Sequence, residues 1–136
     1  MKFASWIARI ILGLPYTVLG FNGLYFTMTG QWLIEAPDMP EPAAAFMGAM
    51  MTTGYLFTLV KLTEFAGGLL VLSGVMLPLG LTVLAPVTIN ILCFHYFLAP
   101  DSIVLPLVMG VAQIFLAYAY RNNFRSLFEN WPYLSA

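Results

Sequence analysis

The chain has 136 residues, of which 61% are apolar and 8% charged, with a formal net charge of −1 and a mean hydropathy of +0.88. A soluble domain carries about a quarter of its residues as charges, so this composition excludes a water-clad globule and calls for lipid as the solvent of most of the surface. The near-neutral balance leaves no basic footprint for nucleic acid, and one cysteine, Cys93, excludes an internal disulfide or a zinc ligand set built on cysteines.

In chain order, the first predicted span covers about residues 3–29. Lys2 and Arg9 precede an uncharged run from Ile10 to Thr29. No small-residue cleavage site follows a short apolar core, so the run reads as a retained span and not as a signal peptide. Arg9 is expected to snorkel to the headgroups. Gly13, Gly20, Gly23 and Thr27 form a small-residue stripe with Tyr16 that lets another helix come close. Asn22 lies about 200° from Gly20 on a helical wheel and points elsewhere.

The segment APDMPEP (36–42) holds three prolines and two acids and cannot be a helix interior. Pro42 suits a first helical position, so AAAFMGAMMTT (43–53) is predicted as a short helix within an outer loop over 30–54. It is too short to cross a bilayer and is expected to be interfacial or re-entrant. Three further spans follow at about 55–77, 78–99 and 103–120, and a tail covers 121–136. Each must be helical, because a lipid-exposed backbone has to satisfy its own hydrogen bonds. Pro86 should kink the third span and free the carbonyl of Thr82. Trp6, Trp32, Trp131 and Tyr133 read as interface anchors. No internal repeat breaks the chain. The expectation is one all-α domain, an integral membrane four-helix bundle with a short helix after the first span.

Charge sets the expected orientation. Lys2, Arg9, Arg121 and Arg125 lie towards the two chain ends, whereas Glu35, Asp38, Glu41 and Asp101 lie in the first and third loops. Basic residues stay on the cytoplasmic side. Both termini are therefore expected inside a bacterial inner membrane, which requires an even number of spans.

Within the spans, Lys61 and Glu64 stand three residues apart and share a face with Gly68. They fall in the outer half of the bilayer, as do Asn22, Asn90 and His95, while Gln113 sits near the middle. A mid-membrane charge costs about 3 kcal/mol on insertion scales. Pairing lowers that cost, yet a buried pair is no clear improvement on two leucines. Two readings stay open: a functional centre, or an ion pair that fixes helix register. The functional reading takes Lys61, Glu64 and His95 as catalytic candidates, and Asn90, Asn22, Gln113 and Phe94 as substrate-binding candidates. His95 is placed towards the second span, with Phe65, Phe94 and Tyr96 as walls. Cys93 reads as a small buried hydrophobe rather than a redox thiol. HExxH, CxxC, Walker and GxGxxG patterns are absent. One histidine and one cysteine do not make a typical metal site, and no metal or haem is expected.

The stretches RIILGLPYTVLGFNGL, YLFTLVKLTEFAGGLLVLSG, LAPVTINILCFHYFLAP and AYRNNFRSLF together resemble the DoxX family of small bacterial membrane proteins. The K-x-x-E-x-x-G-G and A-P-V-x-x-N-x-x-x-F-H runs are the most specific. The resemblance covers nearly the whole chain and implies a four-helix membrane protein. It also implies a link to quinone- or sulfur-dependent redox complexes and to oxidative stress, with Lys61, Glu64, Asn90 and His95 as the matching polar positions. The chain lacks a cysteine pair, so a quinone or a partner subunit would carry the electrons. The competing expectations are a small-solute carrier or channel acting as a homo-oligomer, and a non-catalytic scaffold docking a membrane or periplasmic partner through residues 30–53.

Overall fold

The structure is a computed structural model describing residues 2–128. It is all-α, with no strand among the described residues. Helix α1 covers Lys2–Thr29, α2 Glu41–Thr52, α3 Leu56–Ser73, α4 Leu77–Leu98, α5 Val104–Ala119 and α6 Arg121–Phe128, with a single 3₁₀ turn at Pro100–Ser102. Helices α1, α3 and α4 are each long and apolar enough to cross a membrane. At 16 residues, α5 spans about 24 Å and falls short of that length. Helix α2 begins at Glu41, one residue before the Pro42 expected at its first position, and its one proline lies in the first turn. The expected tail is helical as far as Phe128, while Trp131 and Tyr133 lie outside the described residues.

Helices α1, α3, α4 and α5 pack in a ring in that order, α1 closing it against α5. Both ends of α1 and α5 that carry Lys2 and Arg121 therefore lie together, and the acidic loops lie at the opposite end. The core is built of Leu12, Val71, Leu84 and Leu116, all fully buried.

The tightest seam joins α1 to α3. A Cβ on Gly13 would sit 2.8 Å from the backbone nitrogen of Leu72, and one on Gly20 would sit 2.5 Å from that of Phe65. From the other side, a Cβ on Gly68 would meet the Thr17 backbone at 2.6 Å. Glycine is required here because backbone faces backbone, and a backbone cannot step aside. The predicted stripe on the first span is thus the contact face.

Arg9 corrects one expectation. It does not snorkel outward. Its Nε donates to the Val71 carbonyl at 3.0 Å and its guanidinium to the Leu72 carbonyl at 2.7 Å. These are orphan carbonyls of the last turn of α3, where a cation also meets the negative end of the helix dipole. Gly74 ends α3 in the left-handed region at φ 76, and its missing side chain leaves room for that guanidinium.

Candidate functional site

The Lys61–Glu64 pair lies on the α1-facing side of α3. Lys61 Nζ donates to Glu64 Oε2 at 2.7 Å, with side-chain exposures of 17% and 4%. The lysine stem lies in the slot left by Gly23, where a Cβ would collide with its Cγ and Cδ. The ammonium sits 5.7 Å from the centre of the Phe57 ring. Phe57 joins an aromatic cluster in which Trp32 stacks on Phe26 at 4.1 Å and both rings meet Phe57 edge-on. Trp32 is thus half-buried and packed against the ring beside the Lys61 ammonium. A cavity of about 220 Å³ opens beside this cluster, lined by Phe26, Thr27, Tyr55, Phe57 and Thr58 among others.

A second polar feature crosses the centre of the bundle. Tyr16 on α1 bonds Thr88 on α4 at 2.7 Å, Thr88 bonds Gln113 on α5, and Gln113 Nε2 donates to the Leu81 carbonyl at 3.0 Å. The directions follow from the donor inventory. With its Nε2 committed to Leu81, Gln113 offers Oε1 as an acceptor; the single Thr88 proton is shared between that oxygen and the Leu84 carbonyl 3.0 Å away, so Thr88 must accept from Tyr16. The chain therefore runs one way, Tyr16 to Thr88 to Gln113 to the backbone, an arrangement in which each bond polarises the next. Tyr16 packs against Gly68, one turn along α3 from Glu64, so the two polar features are neighbours. Tyr16 had a sequence signal in its position on the glycine stripe. Thr88 had none, being one threonine in an apolar helix.

The remaining candidates are dispersed. Asn22 is buried, but its amide is committed to the loop between α1 and α2: Nδ2 donates to the Ile34 carbonyl at 2.8 Å, and Oδ1 accepts from the Leu33 and Ile34 amides at 3.0 Å each. It pins the loop over the bundle instead of facing a ligand. His95 is partly buried and spends Nδ1 on the carbonyl of Ile91 in its own helix at 2.8 Å, making no hydrogen bond to α3. Phe94 packs on Phe46 of α2, and Tyr96 is 67% exposed. Asn90 faces away from the bundle, and Cys93 is exposed rather than buried, because this face of α4 has no neighbouring helix among the described residues. Of the predicted site residues, the structure joins Lys61 to Glu64 and places Gln113 in the adjoining chain. It leaves Asn22, Asn90, His95 and Phe94 in other surroundings. Comparison with family models, with curated proteins and with solved structures gives no match to this chain.

Proposed function

We propose that this chain is a small membrane subunit of a redox system, taking a single-ring, quinone-like head group at the acidic end of the α1–α3 seam. The observation that carries the reading is the double role of Phe57. Its ring lines the 220 Å³ cavity and also lies 5.7 Å from the Lys61 ammonium. Ligand pockets for drug-sized molecules run from about 300 Å³ upward, so this cavity fits one ring and not an elongated substrate. Phe26 and Phe57 offer faces for stacking, and Thr58 offers a hydroxyl donor, that of Thr27 being spent on the Gly23 carbonyl.

A bound quinone supplies two-electron, two-proton redox chemistry. The chain's own residues hold and orient it. Lys61 brings a positive charge and a transferable proton to where negative charge develops on a ring oxygen, once the Phe57 ring turns aside. Glu64 fixes the ammonium by its 2.7 Å bond. The aromatic lid of Phe26 and Trp32 keeps water from the pair. The resemblance to DoxX proteins points the same way. In this reading the acidic end faces the exterior and both chain ends the cytoplasm, with electrons supplied by a partner subunit.

A thermal-shift titration of the purified protein with short-tailed quinones, thiosulfate and small thiols tests the proposal. Quinones should raise the melting temperature of the wild type and leave that of Lys61→Met unmoved from its own baseline. A flat response of the wild type to every quinone removes the proposal. A scaffold role is the second reading, favoured by α2. Ala44, Ala45, Gly48 and Ala49 on it are exposed, nothing lies within 4 Å of a Cβ built on Gly48, and the loop before it carries Glu35 and Asp38. A partner with a basic surface would fit there. Deleting 43–53 should then break a complex that Lys61→Met leaves intact.

A further inference from the structure

The outward face of α4 carries a regular pattern. Leu79, Val83, Pro86, Asn90, Cys93 and Phe97 follow one another at spacings of four, three, four, three and four. That is an a/d seam, in which Val83, Asn90 and Phe97 occupy a positions and Leu79, Pro86 and Cys93 occupy d positions. Five of the six are exposed and Val83 is partly so. The ring of helices uses the other side of α4 for α3 and α5, so this seam has no helix partner among the described residues.

Asn90 makes the seam more than an apolar stripe. It stands about 12 Å below the acidic end of α4, too deep for so short a side chain to reach water. Its amide makes no hydrogen bond among the described residues. Thr63 and Thr82, by contrast, each donate to the carbonyl four residues earlier, on Leu59 and Pro78. An amide left bare against acyl chains is costly, and in membranes such groups act as glue between helices.

We infer that the α4 seam is a dimer interface between two copies of this chain, with Asn90 bonding to the Asn90 of the second copy. Two features choose a second copy over another partner. An asparagine amide carries both donor and acceptor, so it complements itself across a two-fold axis. A single asparagine at an a position of an otherwise apolar seam is also the device that sets register in paired helices. Both copies insert with the same orientation, so the axis stands along the membrane normal and the two α4 helices run parallel. Residues of equal number then face each other, and the two Cys93 thiols meet one layer from the paired amides. The inference rests on the helices lying in a membrane and is independent of the quinone site.

Cys93 is the only cysteine and supplies the test. Membrane vesicles holding the full chain are oxidised with copper phenanthroline, and the products are separated without reductant. A band at twice the mass is expected, absent from Cys93→Ser and far weaker when the thiol is moved to the exposed α3 position by Leu62→Cys in that background. Energy transfer between labelled copies diluted into lipid gives the affinity. Asn90→Leu should weaken association about 3-fold to 10-fold, with Asn90→Gln between the two. Equal cross-linking from Leu62→Cys, unchanged association in Asn90→Leu, or cross-linking of Cys93 only to some other protein would each overturn the inference.

Discussion

Helix α1 meets two neighbours by opposite means. Against α3 it presents Gly13, Gly20 and Gly23, and the two backbones touch while a lysine stem fills the one slot left over. Against α5 it presents Ile7 and Ile11 facing Leu107, Val108, Val111 and Phe115, and a groove of about 530 Å³ remains open between them. In water both seams would be driven together by the same apolar burial. In lipid that drive is missing, and contact depends on how closely surfaces fit and on polar bonds. The first seam has both and the second has neither. The polar bonds of α5 go to α4 instead, through Gln113.

The sharpest way to break this contrast is to add bulk to the glycine seam. Gly20→Val should cost about 3 kcal/mol or more, since its Cβ would fall 2.5 Å from the Phe65 nitrogen. Unfolding of the purified protein by denaturant in micelles reads the effect, and a wild-type curve would mean that the seam is looser than drawn. Next comes Glu64→Leu, which strands the Lys61 ammonium in a mostly buried slot and should cost about 3 kcal/mol. The double replacement Lys61→Leu with Glu64→Leu should recover most of that loss. Failure to recover would give the pair a structural task that two leucines cannot perform. Gln113→Leu should cost about 1 kcal/mol, the size of an interhelical hydrogen bond in a membrane. The same unfolding assay, with Tyr16→Phe in a double-mutant cycle, should show the two changes to be less than additive, because they cut one chain. The smallest effect belongs to the open seam. Ala4→Leu adds three heavy atoms to the rim of the α1–α5 groove and should change stability by within about 0.5 kcal/mol. The same α1 helix would then accept bulk on one side and refuse it on the other.

The spans and their breakers were legible because hydropathy and proline act locally. The Lys61–Glu64 pair was legible because three residues of helix fix its geometry wherever the helix goes. Helix phase was not. A membrane helix is apolar all round, so its lipid face and its bundle face use the same residues, and nothing in the sequence shows which way Asn90 or Cys93 turns. Small residues do break that symmetry, which is why the α1 stripe could be read and the α4 orientation could not. Asn22 and Arg9 eluded sequence reasoning for a different reason. Their partners are backbone carbonyls and amides of residues 33–34 and 71–72, and a backbone group leaves no trace in the residue types.

The Arg9 cap has a mechanical consequence. It clamps the basic end of α1 to the last turn of α3, while Gly20 and the Lys61 slot lock the two helices nearer their other end. A piston stroke of α1 past α3, even by one turn, would tear both fastenings at once. The pair must travel as one rigid strut, and any give across the thickness of the bilayer is left to α5, which is shorter and leans on its neighbours more loosely.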